Sequence, residues 1–270
     1  EIIHNKESIH LLGENKNNEI INLNFDKVII AAGTINTSKL VLKLLNEYNC
    51  KTLTIKDSQK YFFLYFTLFK SKKNEEKNTI GLSQIFMQTE IKNHTIQLQL
   101  YHATLLLRDA INRVFPKFLS ELLLKSFHFI ISRIMIGVVY FPEEISNYMK
   151  IFYNKEQKSF FIQEEKNKKF SSKYIFLLYM RLNKLLFKLK CFPLPIFIRS
   201  KVGVSQHFGS SLPPNKNPTI GTTNINGELF PFKNIYISDS SSLDRIASTP
   251  PTFISMSNAY RIAENIVNET

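Results

Sequence analysis

The chain has 270 residues, 44% of them apolar and 13% aromatic, which is enough for a packed core and too apolar for a chain that stays disordered. Mean hydropathy is −0.12, and no run approaches about 18 uninterrupted apolar residues, so no membrane-spanning helix is expected. Thirty-five Lys and Arg against 22 Asp and Glu give a net charge of +13, which admits an anionic partner without naming one.

In chain order, residues 1–26 alternate apolar and polar positions around a polar turn at 13–18, the pattern of a hairpin. Residues 26–33 (Asp-Lys-Val-Ile-Ile-Ala-Ala-Gly) read as a continuous apolar strand ending in small residues, as buried parallel strands do. Thr34 is placed to cap a helix over 35–46 with Leu40, Val41, Leu44 and Leu45 facing inward. The stretch 50–200 has a different texture. Residues 61–69 and 81–100 are rich in β-branched and aromatic types, interrupted at 70–78 and 92–94, and predict antiparallel strands. Helical periodicity over 103–129 is broken only at Pro116, and 134–141, 149–153 and 159–163 read as short strands. Residues 174–189 segregate Leu178, Leu182, Leu185 and Leu186 from Arg181, Lys184 and Lys188 at helical spacing. After Pro193 and Pro195, residues 203–209 read as a strand breaking into a loop, and 234–239 as a strand ending on Asp239. Pro250 and Pro251 then precede a helix over 252–267.

The positive charge is local. Ten basic residues and no acid lie between 166 and 201, which fits a half-buried helix with a solvated face or contact with an anionic membrane surface or a glycan. No helix-turn-helix, zinc-finger or aromatic Gly-rich sheet signature accompanies the charge, so no nucleic-acid partner is expected. Cys50 and Cys191 stand apart without Cys-x-x-Cys or Cys/His spacing; no metal site or disulfide framework follows, and a reducing, cytoplasmic setting with peripheral membrane contact is expected. The opening Glu-Ile-Ile-His carries no basic-then-apolar leader, and a start inside a longer protein is expected.

Three features at the edges of the chain fit one mechanical idea. The Ala31-Ala32-Gly33 strand end has almost no side chain to hold a ligand off the backbone. Asp239 closes an apolar strand, where open α/β sheets receive nucleotides. The helix opening at Pro251-Thr252 presents free N–H groups and a positive dipole end. Of six histidines, His207 alone sits in a Gly-flanked loop at a strand end, where a neutral imidazole can take a proton from an alcohol.

The order of these pieces resembles the glucose-methanol-choline (GMC) flavin oxidoreductases. Residues 28–40, Val-Ile-Ile-Ala-Ala-Gly-Thr-Ile-Asn-Thr-Ser-Lys-Leu, resemble that family's V-I-L-A-A-G-x-I-x-[ST]-P-x-L strand and helix. His207-Phe208-Gly209-Ser210-Ser211 is similar to its H-x-x-G-[ST] segment, with Gly one place early. Asn234-Ile235-Tyr236-Ile237-Ser238-Asp239-Ser240-Ser241 resembles its N-L-[YF]-V-x-D-[AGS]-S strand, and residues 251–263 its closing helix.

The resemblance implies an α/β plus α+β fold: an incomplete FAD-binding, Rossmann-like domain from 1–48 and 218–270, with an antiparallel-sheet substrate domain inserted at 49–217. It implies FAD as cofactor, with Ala32 and Gly33 against it, Asp239 and Ser240 near its ribityl-pyrophosphate portion, and Pro251 and Thr252 near the flavin's pyrimidine edge. It implies oxidation of the CH–OH group of a small alcohol or sugar, with His207 as proton acceptor. Two positions depart from the family. Its second active-site residue falls on Pro250, with Ser248 and Thr249 as the neighbouring hydroxyls, and its Gly-x-Gly-x-x-Gly turn is absent from these 270 residues. Both departures also fit a truncated, non-catalytic remnant that binds a membrane or glycan through 166–201.

Overall fold

The computed structural model describes residues 2–4, 8–69, 83, 85–102, 111–167 and 172–268. Their elements run β1 (Ile2–His4), β2 (Ile9–Glu14), β3 (Ile20–Phe25), β4 (Val28–Ile30), α1 (Thr34–Leu45), β5 (Thr52–Asp57) and β6 (Lys60–Thr67). There follow β7 (Ile85–Ile91), β8 (His94–His102), α2 (Lys117–Ser126), α3 (His128–Ile131), β9 (Ile134–Tyr140), β10 (Tyr148–Asn154) and β11 (Ser159–Glu165). Last come α4 (Ser172–Lys188), β12 (Cys191–Arg199), β13 (Phe208–Gly209), β14 (Ile235–Ile237) and α5 (Thr252–Asn268). The 103–110 part of the expected helix and the polar stretch 70–78 lie outside the described residues.

The chain divides into two compact units: Glu1–Gln59 with Pro142–Asn167 and Val202–Thr270, and Lys60–Phe141 with Lys168–Lys201. The first therefore takes in 49–59, 142–167 and 202–217, which the sequence reading assigned to the insert. The reason is sheet membership. β5, β10 and β11 pair antiparallel in the order β11-β10-β5-β13, and β5 and β10 bury Leu53, Ile55, Met149 and Ile151 in the same core as α1.

In this first unit β4 and β14 pair parallel, with Val28 opposite Ile235 and Ile30 opposite Ile237. Parallel pairing sends both chains out at the same edge, so Ala31-Ala32-Gly33 and Ser238-Asp239-Ser240 emerge side by side. α1 buries Val41, Leu42, Leu44 and Leu45, and on the same side the small hydroxyl residues Thr34, Thr37 and Ser38. It begins at Thr34, not Ile35. Gly33, at φ 80° and ψ 147°, takes the N-cap position without a side-chain cap, so Thr34 does not play the capping role its type suggested.

The second unit is a five-stranded antiparallel sheet, β12-β6-β9-β8-β7. Alternation along β6 puts Tyr61, Phe63 and Tyr65 on one face, with Leu98, Leu100 and Val139 of neighbouring strands also buried. Gly137 lies opposite Phe63, and a Cβ there would come within 2.8 Å of the Tyr65 ring. α4 buries Leu178, Leu182 and Leu186, and Tyr179 meets Phe197 edge to face at 5.0 Å. Burial pushes the Tyr61 hydroxyl up to about 12, against the charge of Arg199. Pro193 and Pro195 fall within β12, at the sheet's end in the strand order, where a missing donor is tolerated. No helix among the described residues is long and apolar enough to cross a membrane.

Ile55 is fully buried against α1 and β10. Replacing it with Ala is expected to destabilise the protein by about 2–5 kcal/mol, read as a lower urea midpoint at unchanged slope.

Candidate functional site

At the shared edge of β4 and β14 a single carboxylate joins the two chains. Asp239 Oδ2 accepts from the Gly33 N–H at 2.8 Å and the Thr37 hydroxyl at 2.6 Å, while Oδ1 accepts from the Ser241 N–H at 2.8 Å. An acid is the residue type that fits here, because the first turn of α1 holds unsatisfied N–H donors at its positive dipole end. Thr37 Oγ1 also accepts from the Ala32 N–H at 3.2 Å. Thr34 Oγ1 shares a bond with Ser240 Oγ at 2.8 Å and donates to the Phe208 carbonyl at 3.2 Å. Ser38 Oγ, which donates to the Thr34 carbonyl, meets Ser211 Oγ at 2.8 Å. The hydroxyls on the first turns of α1 thus knit three chain segments together.

His207 enters this edge through its backbone. Its carbonyl accepts from the Ser58 N–H at 3.0 Å, and its N–H donates to Ser205 Oγ at 3.0 Å. Ser205 in turn donates to Asp57 Oδ1, and Asp57 Oδ2 accepts from the Gly203 N–H at 2.8 Å. The expected strand at 203–209 is a turn over most of its length. Only Phe208 and Gly209 pair with β5, opposite Asp57 and Lys56, because Gly203 at φ 81° and Gln206 at φ 61° turn the chain out of extended geometry. Ser210, at φ 52°, turns it again, and its N–H donates to the Ser240 carbonyl at 2.8 Å. A Cβ on Gly209 would lie 2.4 Å from that carbonyl oxygen, so this close approach requires glycine.

The loop into α5 is held from the far side. Glu143 N–H donates to the Ile246 carbonyl at 3.0 Å, Glu143 Oε2 accepts from the Ile246 N–H at 2.8 Å, and Lys56 Nζ stands 3.5 Å from Oε1. Burial raises the Glu143 carboxyl above the ordinary glutamate range, against the pull of the Ile246 N–H and Lys56. Ser248 is buried, Thr249 and Pro251 are partly exposed, and Pro250 and Thr252 are exposed. The Pro251 carbonyl accepts from the Ser255 N–H at 2.8 Å to open α5, and Asn258 of α5 donates to Ser242 Oγ at 3.1 Å.

Of the residues singled out from sequence, Gly33, Asp239 and Ser240 meet directly, with Ala32 tied in through Thr37. His207 is tied to them through Phe208, and Pro251 and Thr252 stand at the exposed start of α5. Asp57, Ser205 and Glu143 stand in none of the motifs above, and Thr37 stands in one, at its [ST] position, where the motif gives it no partner. Asp57 did leave a signal: along β5 it shares parity with buried Leu53 and Ile55, so an acid falls on the apolar face.

Ala31, Ala32 and Gly33 are all exposed, and a Cβ on Gly33 would meet nothing within 4 Å, so there is room for a ligand against the backbone. Near this edge, the buried hydroxyls of Ser58 and Ser241 have no hydrogen-bond partner among the described residues. Among those residues, no group of His, Cys, Asp and Glu has an arrangement that would hold a metal ion.

No family model matches the sequence, and no curated protein matches it. The chain is similar in structure to an FAD-dependent oxidoreductase from Chaetomium thermophilum, solved in complex with a butanamide fragment, at a TM-score of 0.51 and 12% identity over 99% of this chain and 60% of that one. The chain therefore shares its fold with that solved structure and spans about 60% of its length.

Asp239→Asn leaves one acceptor oxygen where three donors converge, and is expected to cost about 1.5–3 kcal/mol for each charge-assisted bond lost, seen as a lower melting temperature. Glu143→Gln keeps an acceptor for Ile246 but cannot ionise. Because the folded carboxyl holds its proton to higher pH than the unfolded one, the wild type loses stability as pH rises from the ordinary glutamate range through the raised value. The variant lacks this decline, so its melting temperature gains on the wild type between acid and neutral pH; parallel curves would contradict the assignment.

Proposed function

We propose that this chain carries flavin-facing and substrate-facing residues of an FAD-dependent oxidoreductase of the glucose-methanol-choline type, acting on the CH–OH group of a small alcohol or sugar. One observation carries the reading. The parallel pairing of β4 with β14 gathers the segments at 28–40, 207–211 and 234–241, which carry the resemblance, at one edge around Asp239. The activity belongs to the whole protein, since this chain spans about 60% of the related structure.

The residues present fit the cofactor. The bare backbone at Ala32 and Gly33 receives a flat or polyol portion, and the part-exposed hydroxyl of Ser240 is suited to its polar groups. Asp239 already sets a negative charge at the head of α1, which disfavours a phosphate in the same notch and leaves it to an uncharged part of the ligand. The first-turn N–H groups at Thr252 suit a ring edge that gains negative charge. When bound, FAD supplies the two-electron acceptor for the hydride leaving the substrate carbon.

Oxidation of an alcohol to a carbonyl also releases the hydroxyl proton, and the neutral imidazole of His207 takes it. Ser205, Ser58 and the left-handed turns at Gln206 and Ser210 hold the backbone that presents this ring. Pro250 has no side-chain donor or acceptor, and Thr249 is the more exposed hydroxyl beside it for a second contact with substrate.

The test is to express the protein as its gene encodes it, record visible absorbance of bound flavin, and compare alcohol oxidation with that of His207→Asn. Flavin is expected on both, with kcat/KM lowered about 10²- to 10⁴-fold in the variant. A folded protein that takes up no flavin, or a variant as active as the wild type, would overturn the reading in favour of a non-catalytic remnant.

A further inference from the structure

Charge divides unevenly between the two units. Lys60–Phe141 with Lys168–Lys201 hold 20 Lys and Arg against 5 Asp and Glu, a net +15, while the remainder holds 15 against 17, a net −2. The whole positive excess of the protein thus belongs to the unit built on the five-stranded sheet.

Within that unit α4 presents two adjacent outward stripes. Phe176, Met180 and Phe187, at helical spacings of four and seven, are 61%, 54% and 62% exposed. Beside them run Arg181, Lys184 and Lys188, all exposed. The opposite stripe, Leu178, Leu182 and Leu186, is buried, so the helix packs onto its sheet mainly through residues other than these outward ones. At the end of α4 the pattern continues: exposed Phe69 lies under Lys190 Nζ at 5.7 Å, and Phe187 meets Phe192 at 5.1 Å.

Between α4 and β7 lies a cavity of about 260 Å³, floored by Leu182 and Leu185, with Thr89 on β7 and Arg181, Lys184 and Lys188 at its rim. No acidic side chain lines it; Glu90 meets the helix through its carbonyl, which accepts from Arg181 Nη1. This is smaller than the pockets of about 300–1,000 Å³ that enclose drug-sized ligands, and is suited to one phosphate ester and the start of its apolar tail.

We propose that α4 docks this unit on an anionic lipid bilayer, with Phe176, Met180 and Phe187 inserted at the interface and lipid phosphates held by Arg181, Lys184 and Lys188. Charge complementarity selects this occupant: a second copy would bring another cationic unit to the same face, whereas an anionic leaflet answers both stripes. Docking requires no flavin, so its outcome is separate from that of the redox reading.

The test is co-sedimentation of the full chain with vesicles of phosphatidylcholine alone, or of phosphatidylcholine with phosphatidylglycerol. Binding is expected to the anionic vesicles only, weakened by salt. The pair Lys184→Glu and Lys188→Glu is expected to weaken it about 10- to 100-fold, and Phe176→Ser with Phe187→Ser about tenfold or more. A charge-matched pair on the other unit, Lys16→Glu with Lys155→Glu, is expected to bind as wild type. Circular dichroism checks the fold of each, and Lys184→Gln with Lys188→Gln replaces the Glu pair if that one misfolds. Equal binding to neutral vesicles, no binding, an equal loss in the charge-matched pair, or displacement by polyuridylic acid with the Phe variants unaffected would each overturn the proposal.

Discussion

Because Asp239 accepts from Gly33 and Thr37 on one side and from Ser241 on the other, strand ends 206 residues apart are held as one edge. The parallel ladder beside them is only three residues long. Bringing together the ends of a segment of this length costs on the order of 5 kcal/mol in chain entropy, before any contact within it compensates. The two charge-assisted bonds that span this distance, to Gly33 and Thr37, at about 1.5–3 kcal/mol each, are of the same size, so the carboxylate matters as much as the ladder to whether this edge exists. The α1 hydroxyls depend on it in turn: Thr37 bridges to Ala32, and Thr34 reaches Phe208 and Ser240 from a first turn that Asp239 fixes in place.

The parts of the fold legible in the sequence are those whose determinants are local. β4, α1, β14 and α5 announce themselves through an apolar run, a helical period and prolines ahead of a helix; α1, β14 and α5 lie within a residue or two of their expected bounds, and β4 is confined to the middle of the expected 26–33. What was not legible is non-local. Nothing in Thr52–Asp57 says that it pairs with β10 rather than with a neighbour in the other unit. Pro193 and Pro195 forbid a central strand, and only the assembled order shows that β12 sits at an end. In the site, Gly33 and Asp239 were found by their place at strand ends. Thr37 stands at the [ST] position of the strand-helix motif, which does not say what it bonds, and Ser205 has no signature apart from the partner it meets.

The charge division follows a similar logic. A unit with a net +15 repels itself, and its sheet offers few acids to compensate. Its cohesion rests on buried aromatic and aliphatic surface, with Tyr61, Phe63 and Tyr65 lying along one strand face and Gly137 leaving room for the Tyr65 ring. The other unit is close to neutral, yet it carries the paired carboxylate functions at Asp57, Glu143 and Asp239, each accepting from at least one backbone N–H. There, acids organise loops; in the sheet unit, cations are left outward.

The path of the chain through His207 shows why those acids matter together. Gln206 and Ser210 adopt left-handed backbone that costs an L-residue about 1–2 kcal/mol relative to ordinary geometry. Glycine would adopt it freely, but Gly209 stands between them at the place where the Ser240 carbonyl leaves no room for a Cβ. The turn persists because it is bound at both ends: Asp57 holds Ser205, which holds the His207 N–H, and the Ser240 carbonyl holds the Ser210 N–H. Ser240 directly follows Asp239, so a shift of the carboxylate moves the carbonyl that anchors the turn. The position of the imidazole is therefore set by backbone on either side of it, and the edge at Asp239 and the turn at His207 behave as one mechanical piece.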